Sequence, residues 1–190
     1  RPEKAASPLP GMLLIHGGAW RGGAKEMHTP QVLEFARRGY VSAAIEYRLC
    51  PAHVFPAQIE DARCAARFLR ANARKYGLDP SRLGAAGFSA GGHLSLLLGT
   101  MDEEAGLEGE GGWPGVSSKA QAVVSFAGPS DLLASDFPRP SRDLLRDFLG
   151  GTPEQKPRAY RDASPLSHLG PGDAAILAFQ GSKDTLVPFT

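Results

Sequence analysis

The chain has 190 residues, of which 42% are hydrophobic, and it carries 21 Lys and Arg against 20 Asp and Glu. This length allows one domain with a substantial core, and no stretch approaches the roughly 18 consecutive apolar residues of a membrane span. The charges lie in short mixed runs, which argues against a nucleic-acid partner. Two cysteines, Cys50 and Cys64, are too few for a disulfide framework or a metal cluster. We therefore expect no metal and no cofactor.

Short apolar runs alternate with helical patterns along the chain. Each run is bounded by Gly, Pro or polar residues, which is typical of a buried strand. The predicted strands are 11–16, 40–47, 82–88, 122–128 and 174–181. Helices are predicted between them, where apolar side chains recur every three or four residues, at 30–38, at 57–75 and directly after Ser89. This alternation predicts an α/β domain with a mainly parallel sheet and helices on both faces.

Two stretches depart from this alternation. Residues 101–119 are acidic and rich in glycine, which predicts a surface loop. Residues 129–171 are rich in proline and contain one predicted helix, "SRDLLRDFLGG". We expect the second stretch to be a cap-like insertion over the strand ends, where open α/β sheets bind ligands.

A serine stands between two glycines in Gly87-Phe88-Ser89-Ala90-Gly91, after a predicted strand and before a predicted helix. This is the nucleophile-elbow pattern, whose tight turn requires small residues two before and two after the serine. The hydroxyl then stands clear of the sheet at the positive end of the helix. The alternative is a glycine-rich turn in which the serine only caps the helix. The strand and the helix that flank the motif favour a catalytic serine.

The loop "HGGAWRGG" at 16–23 follows the first predicted strand and is rich in backbone N–H groups. An acyl-transfer enzyme needs such donors for the oxyanion of its tetrahedral intermediate. In hydrolases with this elbow they come from the residue after the serine, here Ala90, and from such a loop. A phosphate-binding loop is the alternative, but it fails on spacing because its lysine comes one position late, at Lys25.

An acidic residue follows the last predicted strand in "QGSKDTLVP" at 180–188. Asp184 comes after Ser89 in the chain, which fits the order serine, acid, histidine of α/β-hydrolases. Asp131, in "GPSDL", is the rival acid. We favour Asp184 because the acid has to approach a histidine on the next loop along the chain.

Together these motifs resemble the α/β-hydrolase esterases of the hormone-sensitive-lipase and bacterial feruloyl-esterase-like group. The matching segments are "HGGAW", "YRLCPAHVFPAQIEDA", "GFSAGGHL" and "GSKDTLVP". The resemblance implies an α/β-hydrolase fold and a catalytic triad with nucleophile Ser89 and acid Asp184. It also implies an oxyanion hole formed by Gly18, Ala19 and Ala90.

The resemblance further implies that residues 1–190 form a single partial domain with its cap-like insertion at about 129–171. The family's strands before "GMLLIH" and everything after "VPFT" are missing from the sequence, so we expect the fold to be incomplete at both ends. The chain also begins at Arg1 without a methionine, and we expect its start to have been trimmed.

The triad's histidine has no clear candidate among the five in the chain. His93 lies one helical turn beyond Ser89 and points away from its hydroxyl, and the family counterpart of His16 is structural. The other three do not fit the expected chain order: His28, His53 and His168. We therefore expect the base beyond residue 190, in roughly 40–70 further residues that add a crossover helix and a strand. A homodimer that covers the exposed sheet edge is the alternative.

The substrate is less well defined by the sequence. Trp20, beside the oxyanion loop, is a candidate for substrate binding with Phe55, Phe137 and Phe148, and packing in the core is the alternative for each. The resemblance implies a small-molecule carboxylic ester of short-chain, acetyl or feruloyl type. "HGGAW" is also close to the loop of arylformamidases, so amide hydrolysis is the main enzymatic alternative. The non-enzymatic alternative is a binding fragment that lacks the catalytic base.

A cluster of charges near the "YRLCPAH" loop invites a catalytic interpretation. It contains Arg48, Glu60, Asp61 and Arg63. We instead expect a polar network that ties this loop to the predicted helix 57–75.

Overall fold

The computed structural model describes residues 8–188. Its centre is a five-stranded sheet in the order β2-β1-β3-β4-β5, and all four neighbouring pairs are parallel. The strands are β1 (Leu9–Ile15), β2 (Val41–Ile45), β3 (Leu78–Phe88), β4 (Ala122–Phe126) and β5 (Ala175–Phe179). All five predicted strands are present, which confirms the predicted α/β class.

Helices connect the strands, as the periodicity predicts. They are α1 (Thr29–Arg37), α2 (Ala57–Ala71), α3 (Ala73–Tyr76), α4 (Ala90–Thr100), α5 (Arg139–Leu149) and α6 (Pro157–Asp162). The helix predicted at 57–75 is interrupted at Asn72, and Gly77 ends α3 in the left-handed conformation with φ of 66°. Short 3-10 turns lie at Lys25–His28, Glu103–Ala105 and Pro165–His168. Helix α6 is not predicted by the sequence pattern.

The strand order places a crevice at the centre of the sheet. From β1 the chain moves outward to β2, returns to pair β3 with the other side of β1, and then continues to β4 and β5. The direction of winding therefore reverses between β1 and β3. Ligands of open α/β sheets bind at such a point, beyond the carboxyl ends of the two strands. The loop starting at His16 leaves β1 here, and Ser89 follows β3.

Helix α4 anchors this centre because it is buried along its whole length. Each of its residues is buried, and its leucines belong to the main hydrophobic cluster. A helix that is apolar on all sides is typical of a position inside the core. Its N-terminus holds Ser89 at the end of the central strand β3.

The segment 129–171 packs on the same core. Phe148 and Ala163 are fully buried and share the hydrophobic cluster of α4 with Leu145, Leu149 and Tyr160. None of the helices in the described part of the chain has the length and apolar character needed to cross a bilayer.

Strand β5 forms the edge of the sheet and is exposed on both faces. Its residues Ile176, Leu177 and Phe179 are 40%, 54% and 48% exposed. On one face, the ring of Phe179 stacks on Phe126 of β4 at 4.8 Å. On the other, a cleft of about 810 Å³ separates β5 from the segment that starts at Gly128, and Ser89 does not line it.

Candidate active site

Ser89 occupies a strained turn between β3 and α4. Its φ and ψ of 54° and −120° lie in a region that non-glycine residues rarely adopt, at a cost of about 1–3 kcal/mol. Two backbone hydrogen bonds hold the turn: the Ser89 N–H donates to the Phe126 carbonyl at 2.8 Å, and the His93 N–H donates to the Ser89 carbonyl at 2.9 Å. The hydroxyl makes no capping hydrogen bond to α4. The side-chain hydrogen bond that the capping alternative requires is therefore missing, and the catalytic role of the half-buried Ser89 stays a prediction.

Both glycines of the elbow are required by close backbone contacts. A Cβ atom on Gly91 would overlap the carbonyl oxygen of Ile15 in β1, and one on Gly87 would overlap the backbone of Gly91. Gly17, at the start of the loop after β1, has the same constraint, since its Cβ would lie 2.7 Å from the Phe88 carbonyl oxygen. The elbow and the loop after β1 are thus packed backbone against backbone.

The predicted oxyanion loop has an unusual backbone. Gly18, Ala19 and Trp20 are consecutive residues with positive φ of 114°, 52° and 57°. The loop is closed by the N–H groups of Arg21 and Gly22, which donate to the Gly18 carbonyl at 3.0 and 3.1 Å.

The predicted oxyanion donors keep their N–H groups available. Within residues 8–188 the N–H groups of Gly18, Ala19 and Ala90 donate no hydrogen bond, and Ala90 lies at the start of α4, where N–H groups lack intrahelical partners. The structure brings this loop against the elbow through the contact of Gly17 with Phe88. The assignment of these three donors remains a prediction.

His16 supports the start of the predicted oxyanion loop. It is fully buried, its Nδ1 lies 2.8 Å from the Gly17 carbonyl oxygen, and its ring stacks on Tyr47 at 4.2 Å. The Tyr47 hydroxyl donates to the His16 carbonyl at 2.9 Å, and burial raises the pKa of this hydroxyl, so that it stays protonated. Sequence reasoning missed Tyr47. The available signal was its position two residues after β2, the strand that neighbours β1.

Trp20 lies in the core and is only 4% exposed. Its indole N–H donates to Nδ1 of His93 at 3.2 Å, and its ring stacks on Phe148 at 4.2 Å. Phe55 is buried against the same Phe148 ring. These contacts favour support of the oxyanion loop over contact with substrate for Trp20.

His93 is fully buried and is not placed to act as a base. Because Nδ1 accepts from Trp20, Nε2 carries the proton and donates to the Ala163 carbonyl at 2.7 Å. Burial lowers the pKa of His93 to about 4, so the ring is neutral near pH 7. This neutral ring links the oxyanion loop to the segment 129–171.

Asp184 lies in the loop after β5 and is held by backbone donors. Its Oδ1 accepts from the N–H groups of Val187 at 3.0 Å and Leu186 at 2.9 Å. These two hydrogen bonds lower the pKa of the Asp184 carboxyl, so it is ionised near neutral pH. Among the described residues, its Oδ2 has only a long contact of 3.4 Å, with Nε2 of Gln180. The carboxylate is therefore oriented and has an oxygen to offer a further donor.

The rival residues have other contacts. Asp131 accepts at 2.9 Å from the N–H of Leu133, two residues further along the chain, and lines the cleft beside β5. His168 lies 2.8 Å through Nε2 from the Asp162 carbonyl oxygen. All five histidines fall within the described residues, and no histidine ring is hydrogen-bonded there to the side chain of Ser89 or Asp184.

The charged cluster near the "YRLCPAH" loop divides into two parts. Asp61 accepts from the backbone N–H of Arg48 at 2.7 Å and from its guanidinium at 3.0 Å, as the predicted network requires. The prediction is wrong for Arg63, whose guanidinium contacts the loop 101–119 and not the "YRLCPAH" loop. Arg63 is buried and donates to Ser118 at 2.9 Å, and it lies 2.8 Å from Glu108. It thus anchors the loop 101–119 to α2.

Several known proteins are similar to this chain in sequence and in fold. The BD-FAE family model matches residues 1–190. Esterase LipC of Mycobacterium tuberculosis is 33% identical over 99% of the chain, which spans 47% of LipC. The chain therefore covers about half of this curated relative.

Two solved structures are also similar. A truncated carbohydrate esterase from gut microbiota has a TM-score of 0.87 and 29% identity, over 98% of this chain and 71% of that one. Thermogutta terrifontis esterase 2, phosphonylated by sarin, has a TM-score of 0.84 and 30% identity, over 100% of this chain and 68% of that one. The motifs, the parallel sheet and these matches agree: the chain belongs to the BD-FAE family and has the α/β-hydrolase fold of the hormone-sensitive-lipase and feruloyl-esterase-like group.

Proposed function

We propose that the protein hydrolyses carboxylic esters through an acyl-enzyme on Ser89. The observation that carries this proposal is the strained elbow, which leaves the Ser89 hydroxyl without a hydrogen bond in residues 8–188, beside a loop in which the Gly18 and Ala19 N–H groups also donate none there. In a known family of hydrolases, backbone strain at a serine between a strand and a helix supports a role in the reaction.

The chemistry follows from this arrangement. The Ser89 oxygen attacks the ester carbonyl while a base takes its proton, and the carbonyl oxygen becomes an oxyanion. The N–H groups of Gly18, Ala19 and Ala90 stabilise that charge. The C–O bond to the alcohol then breaks, and the base returns the proton to the leaving oxygen. Water attacks the acyl-enzyme by the same steps and releases the acid and the free serine.

The base of this scheme is a histidine oriented by Asp184. Asp184 is ionised and presents Oδ2, which suits the imidazolium that forms when the base takes the proton. Residues 8–188 provide no histidine at that place, and we propose that it lies beyond residue 190 in the whole protein, as the sequence predicts. The length of LipC relative to the chain is compatible with this.

The test uses the full-length protein, a fluorophosphonate probe and p-nitrophenyl acetate. We expect covalent labelling at Ser89, and a loss of turnover of about 10⁴–10⁶-fold in Ser89→Ala. Ser167→Ala is the matched control, since Ser167 is an exposed serine of the segment 129–171. Absence of both labelling and turnover in the unmodified protein would contradict the proposal and favour a binding role.

For the substrate, we propose an acetyl or other short-chain ester, with a feruloyl ester as the larger alternative. The support is that similar proteins are described as a carbohydrate esterase and as the esterase LipC. Amide hydrolysis remains the competing proposal because "HGGAW" is close to the loop of arylformamidases. Turnover of acetylated xylan fragments, feruloylated sugars and N-formylkynurenine, compared by kcat/KM, separates the three.

A further inference from the structure

Helix α5 touches both of the loops that flank the proposed site. Near its start, the hydroxyl of Ser141 donates at 2.6 Å to the Leu186 carbonyl, which lies in the acid loop, residues 181–188 around Asp184. Near its end, Phe148 stacks on Trp20 of the oxyanion loop, and Asp147 lies 3.5 Å from Arg21. These contacts are two helical turns apart on one element of 11 residues. The same rigid helix therefore contacts both sides of the site.

The contact of Ser141 falls on the peptide group that orients the acid. The Leu186 carbonyl and the Val187 N–H belong to one planar peptide unit and point in opposite directions. The carbonyl accepts from Ser141, and the N–H donates to Oδ1 of Asp184 at 3.0 Å. Rotation of this peptide would disturb both hydrogen bonds together. The Ser141 hydroxyl thus fixes the orientation of a donor that holds the Asp184 carboxylate.

The acid loop has few other ties. Within the described residues, the other hydrogen bonds of 181–188 are local. The Asp184 N–H donates to the Gly181 carbonyl, and the N–H groups of Leu186 and Val187 donate to the Asp184 carboxylate. The side-chain amide of Gln180 donates to Asp184 and to the Val187 carbonyl. Ser141 is the donor that comes from a distant element, and its side chain is buried, with the residue 6% exposed. Because the Ser141 side chain is buried, its hydroxyl has less access to water as an alternative partner, although Leu186 itself is exposed.

We propose that Ser141 is a positioning residue that keeps Asp184 in place to orient the catalytic base. This inference rests on the proposed ester hydrolysis. Removal of the hydroxyl lets the peptide 186–187 rotate, and Asp184 then holds the base less closely. The proposal concerns the orientation of the acid, not contact between Ser141 and substrate.

The kinetic test compares Ser141→Ala, Ser141→Thr and Ser167→Ala in the full-length protein. We expect Ser141→Ala to lower kcat about tenfold with KM unchanged, the size of effect that one lost hydrogen bond produces. The acid limb of its kcat/KM profile should move to lower pH, because a less closely held carboxylate raises the pKa of the base less. Ser141→Thr keeps the hydroxyl and should recover most of kcat, and Ser167→Ala should match the unmodified protein.

A second measurement does not depend on turnover. Hydrogen exchange of the Leu186 and Val187 amides should become faster in Ser141→Ala and stay unchanged in Ser167→Ala, because these amides donate to Asp184. Unchanged exchange with full activity in Ser141→Ala would overturn this inference while leaving ester hydrolysis intact. No labelling and no turnover in the unmodified protein would overturn both proposals. A uniform loss of protection across the whole of Ser141→Ala would also overturn it, since Ser141 would then serve the fold in general.

Discussion

The nucleophile side and the acid side of the site are built in different ways. Ser89 lies at the centre of the sheet, and its elbow packs backbone against backbone on Ile15 of β1 and on Gly17. The fully buried helix α4 follows it directly. Asp184 follows the edge strand β5, which is exposed on both faces, and its loop is held by local hydrogen bonds and by Ser141.

This difference separates what a substitution does to the fold from what it does to the chemistry. Around Ser89, a change of backbone shape has to displace a core strand or α4, so it reduces the stability of the whole domain. Around Asp184, a change breaks a few hydrogen bonds in a loop and leaves the core as it is. We expect the acid side to tolerate substitution with loss of activity alone, and the nucleophile side to lose stability when Gly87 or Gly91 is replaced.

Of the three further effects that test this comparison, the largest is on the acid side. Asp184→Asn removes the negative charge that the base needs and should lower kcat by about 10⁴-fold in the full-length protein. The melting temperature should change little, because the carboxylate is half-buried and its partners lie within three residues. The measurements are steady-state turnover of p-nitrophenyl acetate and differential scanning calorimetry.

Asp131→Asn is the matched control, since Asp131 is also half-buried and accepts from a backbone N–H two residues on. It should retain turnover. If Asp131→Asn abolished turnover and Asp184→Asn did not, the two acids would have to exchange roles.

The second effect is on the nucleophile side and concerns the fold. Gly91→Ala places a Cβ against the Ile15 carbonyl oxygen, where neither the strand β1 nor the helix α4 can move away. We expect it to lower the free energy of unfolding by at least about 3 kcal/mol, measured by urea denaturation. Gly112→Ala is the control, because a Cβ at Gly112 meets no heavy atom within 4 Å. Equal stability of the two variants would contradict the contrast between the two sides.

The sequence predicted the strand, tight turn and helix of the nucleophile side because the constraints there are local. Glycines at 87 and 91 around Ser89, between an apolar strand and a leucine-rich helix, leave few other structures open to that segment. The supports of the site were not predictable in the same way. Ser141 and Leu186 are 45 residues apart, and Trp20 and His93 are 73 apart, so no spacing or periodicity connects them. Such pairs depend on how the segment 129–171 folds onto the core, and proline-rich sequence carries no regular period from which to infer this.

The smallest of the three effects concerns His93 and the acid range of pH. Its pKa is lowered to about 4 in the folded protein by burial, against an ordinary value near 6.5. Between pH 4 and pH 6.5, His93 therefore binds a proton in the unfolded chain but not in the folded protein. The contribution of neutral His93 to stability is therefore complete above pH 6.5 and is lost as the pH falls towards 4, by up to about 3 kcal/mol.

Urea denaturation at pH 7.5, 6.0 and 4.5 should show this slope, and His93→Gln should flatten it despite lower stability at pH 7.5. His53→Gln, at an exposed histidine, should keep the slope. An unchanged slope in His93→Gln would contradict this prediction, because it would mean that folding does not lower the pKa of His93.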